Sequence, residues 1–301
     1  MSTSIAEGER LESRPKELAS VGARLSALLK RGALHLTLVL ITLIWLVPTV
    51  GLAITSFRPR PDISSSGWWT VLQTASLTLK NYEEVINAAG MGQAFLNSLY
   101  ITIPATILPV LIASLAAFGF AWIPFPGRDW IFLGVVALLV VPIQMTFVPV
   151  LQILNPLHLT QSYVGIWLAH TAFGLPFAIF LLRNFFILLP AELIDAARID
   201  GATNFGIFIR VVLPLSVPAL ASLTIFQFLG VWNDLLMALV FIQNPTAKPL
   251  TVSISNLLST YGTEWHLLSA GAFILMAVPL VLFFSLQRYF VQGLLAGSVK
   301  S

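Results

Sequence analysis

Two places in this 301-residue chain gather the side chains with which chemistry is done. The first is "ELIDAARIDGATNFGIFIRVVLPL", Glu192 to Leu215. There Glu192, Asp195, Arg198, Asp200 and Arg210 crowd between two very apolar regions of a chain that is only 10% charged. These residues make no acid–base pair or nucleophile set. Charges set among the small residues Ala196 and Ala197 suit contact instead, a plug for a socket on another protein. The second place is an apolar run interrupted by Gln227, Trp232, Asn233 and Asp234. Polar groups inside a membrane are expensive and default to functional candidates. An amide matches hydroxyls as both donor and acceptor, and an indole face suits C–H surfaces, so Trp232 with Asn233 has the chemistry of sugar recognition. Two readings stay open for Asn233 and Asp234: they line a pathway, or they cap a kink and bond a neighbouring helix. Asn97, Ser98 and Gln144 are further polar groups in apolar surroundings.

Other chemistries are excluded. The chain has no cysteine, which removes disulfides, thiolate catalysis and cysteine-bound metals. His35, His158, His170 and His266 are far apart and show no ligand spacing, so no metal site is expected. No His, Asp or Glu constellation in the membrane supports an enzyme. No G-x-x-x-x-G-K-[ST] loop occurs, so the chain has no nucleotide site of that type. The sequence pI of about 9.4 does not point to nucleic acid, because the basic residues flank hydrophobic spans and set orientation.

The elements that must position these residues follow from composition. The chain is 57% hydrophobic with a mean hydropathy of +0.89, above the apolar share of soluble domains. Its apolar residues fall in runs long enough to cross a bilayer as helices. Continuous runs, rather than alternation, disfavour a β-barrel. The reading is an all-α polytopic membrane protein with six transmembrane helices, at roughly 33–56, 95–122, 131–152, 164–188, 215–241 and 268–289. With both termini inside, twelve of the 16 Lys and Arg residues are cytoplasmic and four (Arg58, Arg60, Lys80, Lys248) are external, as the positive-inside rule requires. Residues 1–32 read as a cytoplasmic tail and not a signal peptide, 57–94 as an external loop, 95–289 as the core and 290–301 as a cytoplasmic tail. Pro104, Pro109, Pro142, Pro149, Pro176 and Pro279 fall within spans, where each tends to kink a helix. Counted from Pro218 at about 1.5 Å per residue, Asn233 lies roughly 22 Å in, past the midplane.

The charged stretch then reads as a helix–turn–helix on the cytoplasmic surface, within a loop at 190–214. Pro190 suits a first turn, and Glu192 and Asp195 lie near a helix start, as the dipole prefers. Gly201 permits a sharp turn, and Thr203 or Asn204 caps a second short helix ending before Pro214.

"DAARIDGATNFGIFIRVVLP" resembles the "EAA" loop of the membrane subunits of binding-protein-dependent ABC importers. Asp195-Ala196-Ala197 stands where that family has Glu-Ala-Ala, with the central Gly201 and the closing Leu213-Pro214. "NYEEVI", "FLNSLYIT", "VPIQMTFVPVLQIL" and "GVWNDLLMALVFI" are similar to segments of the carbohydrate importers of that family, and the end, "QRYFVQGLLAGSVKS", resembles the tail of the maltose-type second permease. The resemblance implies a type I ABC importer permease fold with a cytoplasmic coupling helix, in a bacterial or archaeal inner membrane. Glu192, Asp195, Ala196, Ala197, Arg198, Asp200, Gly201, Leu213 and Pro214 would couple to the ATPase. Gln287, Gly293, Gly297 and Lys300 would contact it from the tail. The implied partners are a second permease, an ATPase dimer that binds ATP and Mg, and an extracytoplasmic sugar-binding protein. The cargo would be a mono- or oligosaccharide, with a polyol or glycerol phosphate as alternatives. An ion-coupled secondary transporter is the competing class, and Asp234 is the only acidic residue well inside a span. Trp68 and Trp69 read as an interfacial anchor or as a contact for the binding protein.

Overall fold

The computed structural model describes residues 21–73, 76–87, 90–160, 162–242, 244–260 and 264–298; the side chains of 21–29, 258–260 and 288–298 lie outside that description. All regular structure among these residues is helical. The chain divides into two units, up to Ile54 and from Thr55 onward. Helix α1 (Val21–Phe57) accounts for the first. It is apolar around its whole circumference from Leu34 to Val50, the pattern of a membrane span.

The second unit opens with the stretch expected to be an external loop, which is built rather than loose. It holds α2 (Arg60–Ser65), a 3-10 turn at Trp68–Leu72 and α3 (Lys80–Asn87). Arg58, only 2% exposed, donates to the carbonyls of Asp62 and Ser66 and to the hydroxyls of Ser66 and Thr70. Asn81 donates to the carbonyls of Ser56 and Arg58, at 2.8 and 2.9 Å. Arg60 pairs with Glu264 across to the far end of the chain. Trp69 is exposed, and Trp68 is half-buried against it.

The core helices are α4 (Met91–Trp122), α7 (Tyr163–Phe186), α11 (Val217–Trp232) and α14 (Trp265–Ser298). Helices α4 and α7 pack along each other through small side chains. Ala105, Ala113, Ala117 and Ala178 have no exposed surface, and such residues let helix backbones approach closely in a membrane. Trp232 joins α11 to α14, with its ring on Phe228 and its Nε1 donating to the Leu275 carbonyl at 2.9 Å. Ser162 caps α7 by accepting from Gly165 N.

Two expected spans are not single helices. The third divides into α5 (Arg128–Ala137) and α6 (Ile143–Leu154), with a short 3-10 turn between them and a bend of 107° across the break. Proline disfavours helical backbone in the residue before it. Val141 is accordingly extended (ψ 120°) and Pro142 caps α6. The other five prolines named above stay inside continuous helices. The fifth span breaks after Trp232, and α12 (Leu236–Phe241) resumes it. Asn233 donates to the Leu229 carbonyl and the Asp234 carboxylate accepts from Met237 N. Such local bonds compete with the helix ladder. By length and composition, four helices among the described residues can cross a membrane, and up to six if two bent pairs, Arg128–Val140 with Ile143–Leu154 and Asn204–Leu215 with Val217–Trp232, each count as one span. A further helix, α13 (Leu250–Thr260), packs under α14, where a connection was expected. Helix α14 continues to Ser298, through most of the expected tail.

Candidate functional site

The charged stretch forms α8 (Ala191–Ile199), a turn at Gly201, and α9 (Asn204–Ile207). Helix α9 runs through a π-turn at Phe208–Val212 into α10 (Leu213–Leu215), and then bends by 78° into α11. Pro190 occupies the cap position just before α8. Gly201 holds φ +80°, the left-handed region where a side chain is strained. Thr203, not Asn204, is the cap of α9, accepting from Gly206 N at 3.2 Å.

One face of this knob is anchored. Ile194, Ile207 and Phe208 bury among Phe118, Leu182 and Phe186, at the ends of α4 and α7. Ile194 is the anchor that local spacing does not reveal. The other face is free: Glu192, Leu193, Asp195, Ala196, Arg198, Ile199 and Asp200 are exposed, as are Gly201, Phe205 and Pro214. Ala197 and Leu213 are half-buried. Arg198 donates to Asp195 and to the Trp122 carbonyl, both at 3.1 Å. The result is a firmly seated protrusion with apolar and charged side chains facing out. It is shaped to be gripped.

The second site lies far along the bundle from the knob. Sixteen residues separate His170 from the end of α7 at Phe186, about 24 Å at 1.5 Å per residue. Asp234 lies at a similar distance from the start of α11. The two face each other, His170 Nε2 to Asp234 Oδ2, at 3.7 Å. That is too long for a hydrogen bond and wide enough for a bridging hydroxyl. They border a cavity of about 260 Å³ whose walls come from α6, α7, α11, Asp234 in the break and the start of α12. Phe147 and Phe173 form an aromatic corner with ring centroids 6.1 Å apart. Gln227 donates to the Ala105 carbonyl at 3.4 Å and lies over Gly174, where a Cβ would come within 2.7 Å of its amide nitrogen.

Of the polar residues singled out from sequence, the cavity brings together Gln144, Gln227 and Asp234. Trp232 is 2% exposed and its indole NH is bonded to α14. Asn233 is exposed and turned back onto its own helix. Asn97 is a tie: it donates to the carbonyls of Thr246 and Lys248 and accepts from Tyr163. Ser98 accepts from Leu250 N at 2.8 Å. His170, Phe147 and Phe173 carried no sequence signal, because each sits in an apolar run that reads as plain membrane helix. Among the described residues no group of three acidic or histidine side chains is placed to hold a metal ion. In α14, Gln287 is exposed and Gly293 and Gly297 lie in helical backbone. Lys300 lies outside the described residues.

Comparison with known proteins gives these sites a setting. A family model described as "binding-protein-dependent transport system inner membrane component" matches residues 109–296. The chain is 53% identical to the osmoprotective compounds uptake permease protein GgtD of Synechocystis sp., over 89% of its own length and 92% of that protein. It is 40% identical to the alpha-glucoside transport system permease protein AglG of Rhizobium meliloti, over 89% and 97%. In fold it matches a chain from a bacterial ABC transporter involved in importing the acidic polysaccharide alginate, with a TM-score of 0.69 at 20% identity, over 90% of this chain and 98% of that one.

Proposed function

The chain belongs to the family of binding-protein-dependent transport system inner membrane components, and from that premise we propose that it is one membrane half of an ATP-driven importer for a neutral sugar-like solute. In this family ATP hydrolysis belongs to a separate subunit, and the membrane component is not an enzyme. The observation that carries the reading is the seated knob of α8 and α9, with Glu192, Asp195, Arg198 and Asp200 outermost on a rigid base. A socket on an ATPase that closes around ATP and Mg would pull α8. The anchors Ile194 and Ile207 would pass that pull to α4 and α7. The segment from Gln287 through Gly293 and Gly297 to Lys300 extends from the last span and is assigned to the same interface.

Both termini face the cytoplasm in this reading, supported by twelve internal basic residues against four external ones. The second permease is a homologous chain, and an extracytoplasmic binding protein delivers the solute. The relatives suggest its nature: one is named for osmoprotective compounds and another for alpha-glucosides. A neutral polyhydroxylated molecule carrying a glucosyl group satisfies both names. Arabinooligosaccharide and melibiose permeases among the relatives agree with a sugar.

One observation favours a second reading. The His170–Asp234 pair at depth is the sort of buried acid that ion-coupled carriers use. Proteoliposomes holding both permeases, the ATPase dimer and the binding protein decide between the two. Uptake of a labelled α-glucoside that requires luminal or external ATP on the ATPase side, and that ion gradients alone do not drive, is expected. Gradient-driven uptake by this chain alone would overturn the proposal.

A further inference from the structure

We infer that two pieces of the segment that follows α1, the turn at Trp68–Leu72 and residues 76–79, lie on the bilayer surface at the Phe57 end of that helix, with Trp69, Leu72, Leu77 and Leu79 dipped among the lipids. The partner is the lipid surface itself, met through its apolar region rather than through headgroup charge. This contact lies outside the importer reading and needs only that α1 crosses the membrane.

The segment is sorted inside out for water. Arg58 and Asn81 are buried in it and hold it together with donated bonds. The side chains left outside are Trp69, Leu72, Leu77 and Leu79, each well over half exposed, and Leu72 at 92%. No residue of the turn at Trp68–Leu72 is buried. In water the reverse sorting is the rule. Large apolar side chains left on the outside mark contact with another molecule or with a membrane.

Hydrogen bonds hold both pieces at the end of α1. Arg58 donates to Thr70 Oγ1 at 3.2 Å, Thr78 N to the Phe57 carbonyl at 2.7 Å, and Asn81 to the Ser56 carbonyl at 2.8 Å. Phe57 closes the apolar helical stretch Lys30–Phe57, which has 28 residues and measures about 42 Å at 1.5 Å per residue. A bilayer with its headgroups is about 40–45 Å thick. With Lys30 and Arg31 in one headgroup layer, Phe57 therefore stands in the other. That is the level at which tryptophan gathers in membrane proteins, and the two pinned pieces stand there with it.

Charge and permanence decide what covers them. Arg60 is paired with Glu264, and Lys80 shares α3 with Glu83 and Glu84, so among the described residues of the segment no basic surplus draws anionic headgroups. The contact is apolar, as in segments that lie in the plane of the interface. A soluble protein that docks and leaves would return Leu72 and Leu77 to water between visits, whereas lipid at this level covers them throughout.

The test uses the complete assembly in nanodiscs of phosphatidylcholine and, separately, of phosphatidylcholine with phosphatidylglycerol. The chain has no cysteine, so a nitroxide is placed singly at Leu72→Cys, at Leu77→Cys and, as a lipid reference, at Trp45→Cys in α1, with the unsubstituted assembly as background. All three positions are exposed, so the substitutions spare the fold. Spin relaxation by O2, which concentrates in lipid, is compared with relaxation by nickel ethylenediaminediacetate, which stays in water. The ratio of the two should exceed unity at Leu72→Cys and Leu77→Cys, as at Trp45→Cys, with or without the binding protein and in both kinds of bilayer. A ratio below unity at either position overturns the lipid contact; if adding the binding protein then shields the label from nickel, the surface is a protein dock instead. Weak relaxation by both reagents places the second permease over it and also overturns the contact. So does a ratio above unity only in phosphatidylglycerol, which would mean attraction through headgroup charge. None of these outcomes touches the importer reading, which stands or falls on uptake.

Discussion

Arg198 reaches from α8 to the main-chain oxygen of Trp122, the last residue of α4, at 3.1 Å. Trp122 in turn donates its indole NH to the carbonyl of Phe186, the last residue of α7, also at 3.1 Å. The surface helix is thereby tied to the ends of two core helices by directional bonds as well as by the apolar contacts of Ile194 and Ile207.

If that tie transmits force, cutting it separates hydrolysis from transport. Arg198→Ala, and Trp122→Phe, which keeps the ring and removes the donor, should each lower solute molecules moved per ATP by roughly fivefold, the scale of one lost hydrogen bond. The ratio of uptake to phosphate release in proteoliposomes measures it. An unchanged ratio in both variants would mean that packing alone does the work.

Gly201 is needed for its backbone and not for space. A Cβ there meets nothing within 4 Å, while φ is +80°. Gly201→Val should therefore cost about 1–2 kcal/mol in the turn and weaken co-purification of the ATPase, with the rest of the bundle intact. Pull-down yield against thermal midpoint reads the two apart.

Gly165 and Gly174 are both close to other atoms, with opposite expectations. A Cβ on Gly165 would lie 2.0 Å from the Leu159 carbonyl oxygen, which is backbone. On Gly174 it would meet only the end of the flexible Gln227 side chain. Gly165→Ala should lower the thermal midpoint by several degrees, on the order of 1–3 kcal/mol of overpacking. Gly174→Ala should be nearly neutral in stability but should displace Gln227 and reduce uptake. Melting curves and uptake rates of the purified assembly check both.

The segment that follows α1 hangs on Arg58. Arg58→Met removes four donated bonds from a side chain with almost no solvent contact. About 3 kcal/mol of local stability should go with them. Limited trypsin digestion should cut within residues 57–94 in the variant and spare the wild type.

Trp232→Phe should cost about 1 kcal/mol through the lost bond to Leu275 and leave solute preference unchanged. A changed preference would put Trp232 in the pathway after all.

The membrane character, the approximate places of the helices and the charged knob were all legible in the sequence, because each is a local property. Run length reports what a segment can cross, and Gly201, Thr203 and Pro190 act on their immediate neighbours. What no periodicity carries is which faces meet. Pro142 stands at a break while Pro104, Pro109, Pro149, Pro176 and Pro279 stay inside continuous helices, since a missing hydrogen bond bends a helix only where its packing lets it. Trp232 and Asp234 are two residues apart and serve different surroundings: one fills a seam against α14, the other borders a cavity with α7. His170, a lone imidazole in an apolar helix, meets Asp234 from 64 positions away. That meeting is made by the close alanine packing of α4 on α7 and the breaks in two neighbouring spans, and only the folded bundle decides it.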